Sequence, residues 1–232
     1  MANFIQKFVN QSAYEAAEHQ YPNTSLVGTD IVFAMAAPAF GGLTVKYNIE
    51  DPTQEVALFN GGGASSGSSE SESGGGGALP TTMIVDGVET TPINTFRFET
   101  AGEHIVQYTF ADNIIPAGFL GGNVVTATEA IIGDDITEIA DSSANADGAF
   151  QSSNITTVTI GTGITKIGDD AFAYSHLETL TINADYPPLL GSNALTDSSI
   201  TAIYVPASVV DEYKTSTSTG WNEYASIIQP IV

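Results

Sequence analysis

The chain has 232 residues, of which 27 are acidic and 5 basic, giving a formal net charge of −22, and it contains no cysteine. The missing cysteine removes disulfide frameworks, thiolate zinc sites and cysteine nucleophiles together. A nucleic-acid binder needs Lys and Arg to displace phosphate counterions, and an anionic membrane surface would repel this protein, so neither is an expected partner. Hydrophobic residues make up 42%, enough for a buried core. No run reaches the roughly 18–20 apolar residues of a spanning helix. The longest, Ile31 to Phe40, is interrupted by Pro38. The opening residues lack the charged start, apolar run and cleavage site of a secretion signal, which predicts a product that stays in the cytoplasm where it is made.

Residues 1–40 read as an anchoring arm, helical in part and extended in part. Phe4, Ile5 and Phe8 form an apolar cluster with Val9, and Ser12-Ala-Tyr14-Glu15 fits a capping box. A short helix from about Ala13 to His19 follows, stopped at Tyr21-Pro22-Asn23. Phe4, Ile5, Phe8 and Tyr14 are the candidates for holding a partner subunit; packing on their own domain is the plainer alternative.

Residues 41–113 change to a period of two. Leu43, Val45, Tyr47 and Ile49 alternate with polar residues, as a half-buried strand requires. Asp86-Gly87 between Met83–Val85 and Val88 marks a hairpin, because that pair tolerates the positive φ of a type I′ turn. Further strands at Ile93 to Phe98 and His104 to Phe110 predict a small immunoglobulin-like β-sandwich. Within it, residues 61–78 consist only of Gly, Ser, Ala and Glu. That segment reads as a spacer, or as a loop held by a neighbour.

From residue 114 a longer period appears. Phe150, Phe172 and Leu195, each preceded by alanine, are followed at +5 by Ile155, Leu177 and Ile200. At +8 come Val158, Leu180 and Ile203, and at +10 Ile160, Ile182 and Val205. A looser copy begins at Ala117-Gly-Phe119, and its Ile132–Ile139 segment parallels Ile160–Ile167, with small insertions on either side. Coils that cannot cover their apolar stripe alone stack until the stripes merge, so residues 114–205 predict a short solenoid. Phe119, Phe150, Phe172 and Leu195 are expected to form one interior ladder. The end of such a stack needs a cap, and residues 206–232 supply one: Pro206 suits a helix start, with Val209, Val210, Tyr213, Trp221 and Tyr224 packing back.

The run Ile-Thr-Lys-Ile-Gly-Asp-Asp-Ala-Phe-Ala-Tyr-Ser-His-Leu-Glu-Thr-Leu-Thr-Ile, residues 164–182, resembles the BspA-type leucine-rich repeat. Ile203-Tyr-Val-Pro-Ala-Ser-Val-Val-Asp-Glu-Tyr213, with Gly220-Trp-Asn-Glu-Tyr224, is similar to the terminal cap of such proteins. Repeats of this kind occur in bacterial surface proteins and in virion proteins of gut phages. Phe8 to Ala17, followed by Tyr21-Pro-Asn, is similar to the openings of structural proteins of Bacteroides-infecting phages. Arm, sandwich and repeats together resemble a head-fibre or decoration protein of a crAss-like phage. The resemblance implies a non-catalytic protein on the virion exterior, assembled in the host cytoplasm. Its implied partners are capsid or other virion proteins, further copies of itself as a dimer or trimer, and a host surface glycan or protein. No cofactor is implied. The rival readings are an adhesin of the cell surface or tail, and a polysaccharide hydrolase.

Residues that could carry chemistry are sparse. His19, His104 and His176 fall in unrelated elements, and nothing resembles a nucleophile elbow. Gly161-Thr-Gly163 has the wrong spacing for a phosphate loop, and the repeat already accounts for its glycines. Asp134, Asp135, Asp169 and Asp170 fall in turns of successive coils, where carboxylates could hold Ca²⁺; solvated turn acids are the plainer reading.

Overall fold

The computed structural model describes residues 3–7, 32–36, 40–60, 79–122, 124 and 126–231. The chain divides into two compact units, Met1–Phe40 and Gly41–Val232. In the first, β1 (Asn3–Lys7) pairs antiparallel with β2 (Val32–Ala36), placing Phe4 opposite Met35 and Ile5 opposite Ala34. Phe4 and Ile5 therefore lie on a strand. The expected helix at 13–19, with Phe8, Tyr14 and His19, lies outside the described residues, as does the Gly/Ser segment 61–78.

The second unit starts with β3 (Leu43–Ile49), β4 (Val56–Ala57), β5 (Thr82–Val85), β6 (Val88–Thr90), β7 (Thr95–Phe96) and β8 (Gly102–Thr109). It then winds through four coils. Short strands β9 (Ile114–Ile115), β11 (Glu138–Ile139), β13 (Lys166–Ile167) and β15 (Leu189–Leu190) stack in parallel as one wall. Longer strands β10 (Ala127–Ile132), β12 (Thr157–Ile160), β14 (Thr179–Ile182) and β16 (Ala202–Val205) stack as the other, and β17 (Ile228–Pro230) adds a fifth parallel strand. This is the predicted solenoid. Ile132 sits level with Ile160, and Ile139 with Ile167, as the internal match between those segments required.

The expected sandwich at 41–113 takes a different form. Its second sheet consists of β4 and β7 alone, two residues each, while β3 pairs antiparallel with β10 of the first coil. The front strands thereby extend the long solenoid wall into a single nine-stranded sheet, ordered β17-β16-β14-β12-β10-β3-β8-β5-β6. Two buried rows cross it without a break. One runs Ile203, Leu180, Val158, Ala130, Val45, Val106, Val85, and the other Ile182, Ile160, Ile132, Leu43, Tyr108, Met83. Alternation identifies a strand but not its neighbour, so a strand that caps a solenoid and one that builds a sandwich read alike. Where the two halves meet, sizes compensate. Ala127 faces Tyr47 and Ala130 faces Val45, whereas Ile155 and Val158 occupy those rows in the next coil.

The interior ladder needs one correction. The amides of Phe150 and Phe172 donate to the carbonyls of Ala171 and Ala194, the residues just before the next rung. In the first coil the amide making this bond, to Ala149, belongs to Leu120. Leu120, Phe150, Phe172 and Leu195 are thus the rungs, all buried, with the Phe150 and Phe172 rings stacked 4.8 Å apart at 13°. Phe119 occupies the position that is alanine in later coils. It turns to the front half instead, stacking on Phe59 at 5.1 Å and meeting Tyr108 and Phe110 edge-on.

The far end is closed by α1 (Val210–Thr215) and a 3-10 turn at Trp221–Tyr224. Tyr213 and Trp221 are fully buried, and their polar ends serve the last coil. The indole Nε1 donates to the Pro188 carbonyl at 2.7 Å, and the Tyr213 hydroxyl to the Tyr186 carbonyl at 3.2 Å. An aromatic cap therefore covers apolar surface and satisfies turn carbonyls together. Both sheet edges are blunted. In β17 the bonds to β16 use Ile227 and Ile231, so Pro230, which has no N–H, faces outward. At the other edge β6 has three residues with Glu89 in the middle.

Candidate interaction surface

The side chains between the buried rows point outward and form a second set of rows. The central one contains Glu89, Ile84, Gln107, Thr44, Ile131, Thr159, Thr181, Tyr204 and Gln229, one residue from each of nine strands. Beside it run Ile105, Lys46, Glu129, Thr157, Thr179 and Ala202. Threonine suits these places because its branched side chain packs well on a pleated surface. Charge is sparse, with Glu89 and Glu103 on the front strands. Lys46 and Glu129 pair at 2.8 Å, and the Glu129 hydrogen bond holds the lysine above its ordinary range. Ile131 stands in the middle, 39% exposed.

Acids gather instead at the turns, where they join one coil to the next. Asp134 accepts from the Thr162 amide at 2.7 Å, Asp141 from the Asp169 amide at 2.9 Å, and Asp169 from the Ser192 amide at 2.6 Å. Asp170 accepts from the Ser142 hydroxyl at 2.7 Å. Asp135 lies against Gly41, and a side chain on that glycine would overlap its carboxylate. Of the four carboxylates raised as Ca²⁺ candidates, Asp134 and Asp169 thus serve backbone amides, Asp170 a serine hydroxyl, and Asp135 packs on Gly41. Among the described residues no three His, Asp or Glu side chains converge as a metal-binding group. Asp141 also pairs with Lys166, whose hydrogen bond depresses the acid and is returned as an upward shift of the lysine. Glycine is required where coils touch: a Cβ on Gly168 would lie 2.4 Å from the Ala140 carbonyl carbon, and one on Gly191 2.4 Å from that of Gly168.

A left-handed residue recurs two places after the rung in the last three coils, at Ser152, Tyr174 and Asp197, with φ of 57°, 58° and 52°. Tyr174 is thereby thrown out to 57% exposure. His176, in the same turn, contacts the Ser153 carbonyl at 3.3 Å. His104 is buried against Phe98, its ring nitrogens facing Asp86 at 2.7 Å and the Thr100 carbonyl at 2.9 Å. These two histidines are separate and structurally engaged. A shallow cleft lined by Thr81, Thr82, Glu89, Thr90, Thr91 and Pro92 holds one carboxylate, whereas glycoside hydrolysis uses two. Among the described residues no helix is long and apolar enough to cross a membrane.

Sequence reasoning missed the continuity of the outward rows, because it placed the front strands in a separate sheet. It also missed Asp141. The signal was present, since Asp141 follows Ile139-Ala as Asp169 follows Ile167-Gly.

No curated protein matches the chain. Residues 127–219 match the family model for the BspA type leucine rich repeat region, in six copies. Over residues 127–219 the stacked coils of this chain are accordingly similar to the BspA type leucine rich repeat.

Proposed function

We propose that the chain is a non-catalytic virion structural protein: a head-fibre or capsid decoration subunit on the particle exterior, presenting its repeats outward to a host surface. The observation that supports this most is the division of the chain into a small unit and a larger compact unit that contains the repeats. Residues 1–40 hold three acids and one base, −2, which leaves 24 acids and four bases, −20, for the rest. The small unit is the part that approaches another surface at least electrostatic cost, and several such weak attachments together hold firmly. Its partners in this reading are capsid or other virion proteins and further copies of the chain. The repeat unit contributes geometry: its core fixes the coils while exposed turn positions outside the inter-coil contacts, such as Tyr174 and Tyr186, are left for recognition. A host glycan or protein is the contact those positions serve. Fractionation of an infected culture separates this from a cell-surface adhesin, which would follow the envelope.

The direct test is a chain lacking residues 1–40, supplied during particle assembly. It is expected to be missing from purified particles while keeping the melting behaviour of the 41–232 unit. Incorporation at the full-length level would overturn the anchor role.

A further inference from the structure

Among the described residues of the 41–232 unit, the outward sheet face differs in kind from the surfaces around it. The repeat segment 114–205 has eleven acids, and only Glu129 stands on this face, already paired with Lys46. The sheet edges are closed to strand addition by Pro230 and Glu89, and the turns and the short wall carry the remaining acids of the repeats. The face itself offers Ile84, Ile105, Ile131 and Tyr204 among threonines.

We propose that this face is a homodimer interface, in which the nine-stranded sheets of two copies pack outward face to outward face. Two chains of charge −22 repel, and apposing these faces leaves most carboxylates outside the contact, with Glu89 and Glu103 confined to its front end. A two-fold contact must be self-complementary, which hydroxyls satisfy because each both donates and accepts. Ile131 lies on β10, the fifth of the nine strands, so a two-fold axis through the middle of the row brings the two Ile131 side chains together. Nine strands at about 4.8 Å spacing extend about 38 Å, and four residues of strand add about 13 Å, giving about 500 Å² per partner. That is the low end for a specific interface, so the dimer is weak and concentration-dependent. It is independent of the proposed particle location, which the truncation above tests by a different readout.

The full chain is examined by sedimentation velocity over a concentration series, at about 10 mM and about 150 mM ionic strength, where the Debye length falls from about 30 Å to about 8 Å. A monomer–dimer equilibrium that tightens with salt is expected. Ile131→Lys should raise the dimer dissociation constant at least about 100-fold, although it lowers the net charge, because it buries an unpaired ammonium at the contact. Ser199→Lys, in a turn, should leave the constant within about twofold, since a rim charge carries little of the binding energy. Because the chain has no cysteine, Ile131→Cys supplies a single thiol whose oxidation should yield a covalent dimer, while Ser199→Cys should not. A monomer under every condition overturns the proposal. So does a dimer that survives Ile131→Lys, or one that cross-links equally through either cysteine.

Discussion

The regular coils and the antiparallel front solve one packing problem in two ways. In β12, β14 and β16 each rung repeats its neighbour: Val158, Leu180 and Ile203 lie level, and Phe150 stacks on Phe172. In the front the same rows continue through β3, β8 and β5, but with reversed chain direction and mixed residues, where Ala130 meets Val45 and Tyr47 fills the space beside Ala127. The repeats gain coverage by similarity and the front gains it by complementarity. A solenoid therefore needs no repeat-like neighbour to close its first coil, only a strand whose alternation matches in register.

The largest effect that would sharpen this comparison is expected at the ladder. Phe172→Ala should cost about 3–5 kcal/mol in denaturant unfolding, because the rungs on either side are fixed and cannot collapse into the gap. Gly168→Ala tests the close approach between coils. Its Cβ would meet backbone rather than a yielding side chain, so a loss of about 1–3 kcal/mol or more is expected by thermal unfolding. In the front, the Tyr47 hydroxyl donates to the Leu58 carbonyl and lies 2.7 Å from the Tyr108 hydroxyl. Tyr47→Phe should cost about 1 kcal/mol, because the carbonyl loses its nearer donor but keeps the Tyr108 hydroxyl at 3.3 Å.

Burial pushes the Tyr47, Tyr108 and Tyr213 phenols upward. The folded chain keeps these protons where the unfolded chain loses them, so stability should hold below about pH 10 and fall as pH rises beyond it. The smallest effect belongs to the half-buried Asp141–Lys166 pair. Its acid is depressed, so its contribution is present above the ordinary carboxylate range and fades as pH falls through and below about 4. Asp141→Asn should flatten that limb of a pH–stability curve.

The repeat period was legible because apolar residues of similar size recurred at fixed offsets, and stacking places them in common rows. The cap was legible as well, since Tyr213 and Trp221 are costly to expose. What sequence could not give was partnership. Phe119 looked like a rung because it follows a small residue and precedes an apolar one, yet hydrogen-bond register assigns that place to Leu120. The sandwich expectation at 41–113 erred for the same reason: Leu43 to Ile49 alternate equally well beside β10 or within a separate sheet. Among the candidate site residues, spacing located the turn aspartates but not their function, because the group each meets depends on coil offsets of 28 or 23 residues.

The central claim is that coils and front share one core, and hydrogen exchange of Phe172→Ala against the parent chain tests it most directly. The account expects amides of β3 and β8 to gain exchange by the same factor as those of β14, although they lie several strands away. Acceleration confined to β12, β14 and β16, with the front unchanged, would contradict it.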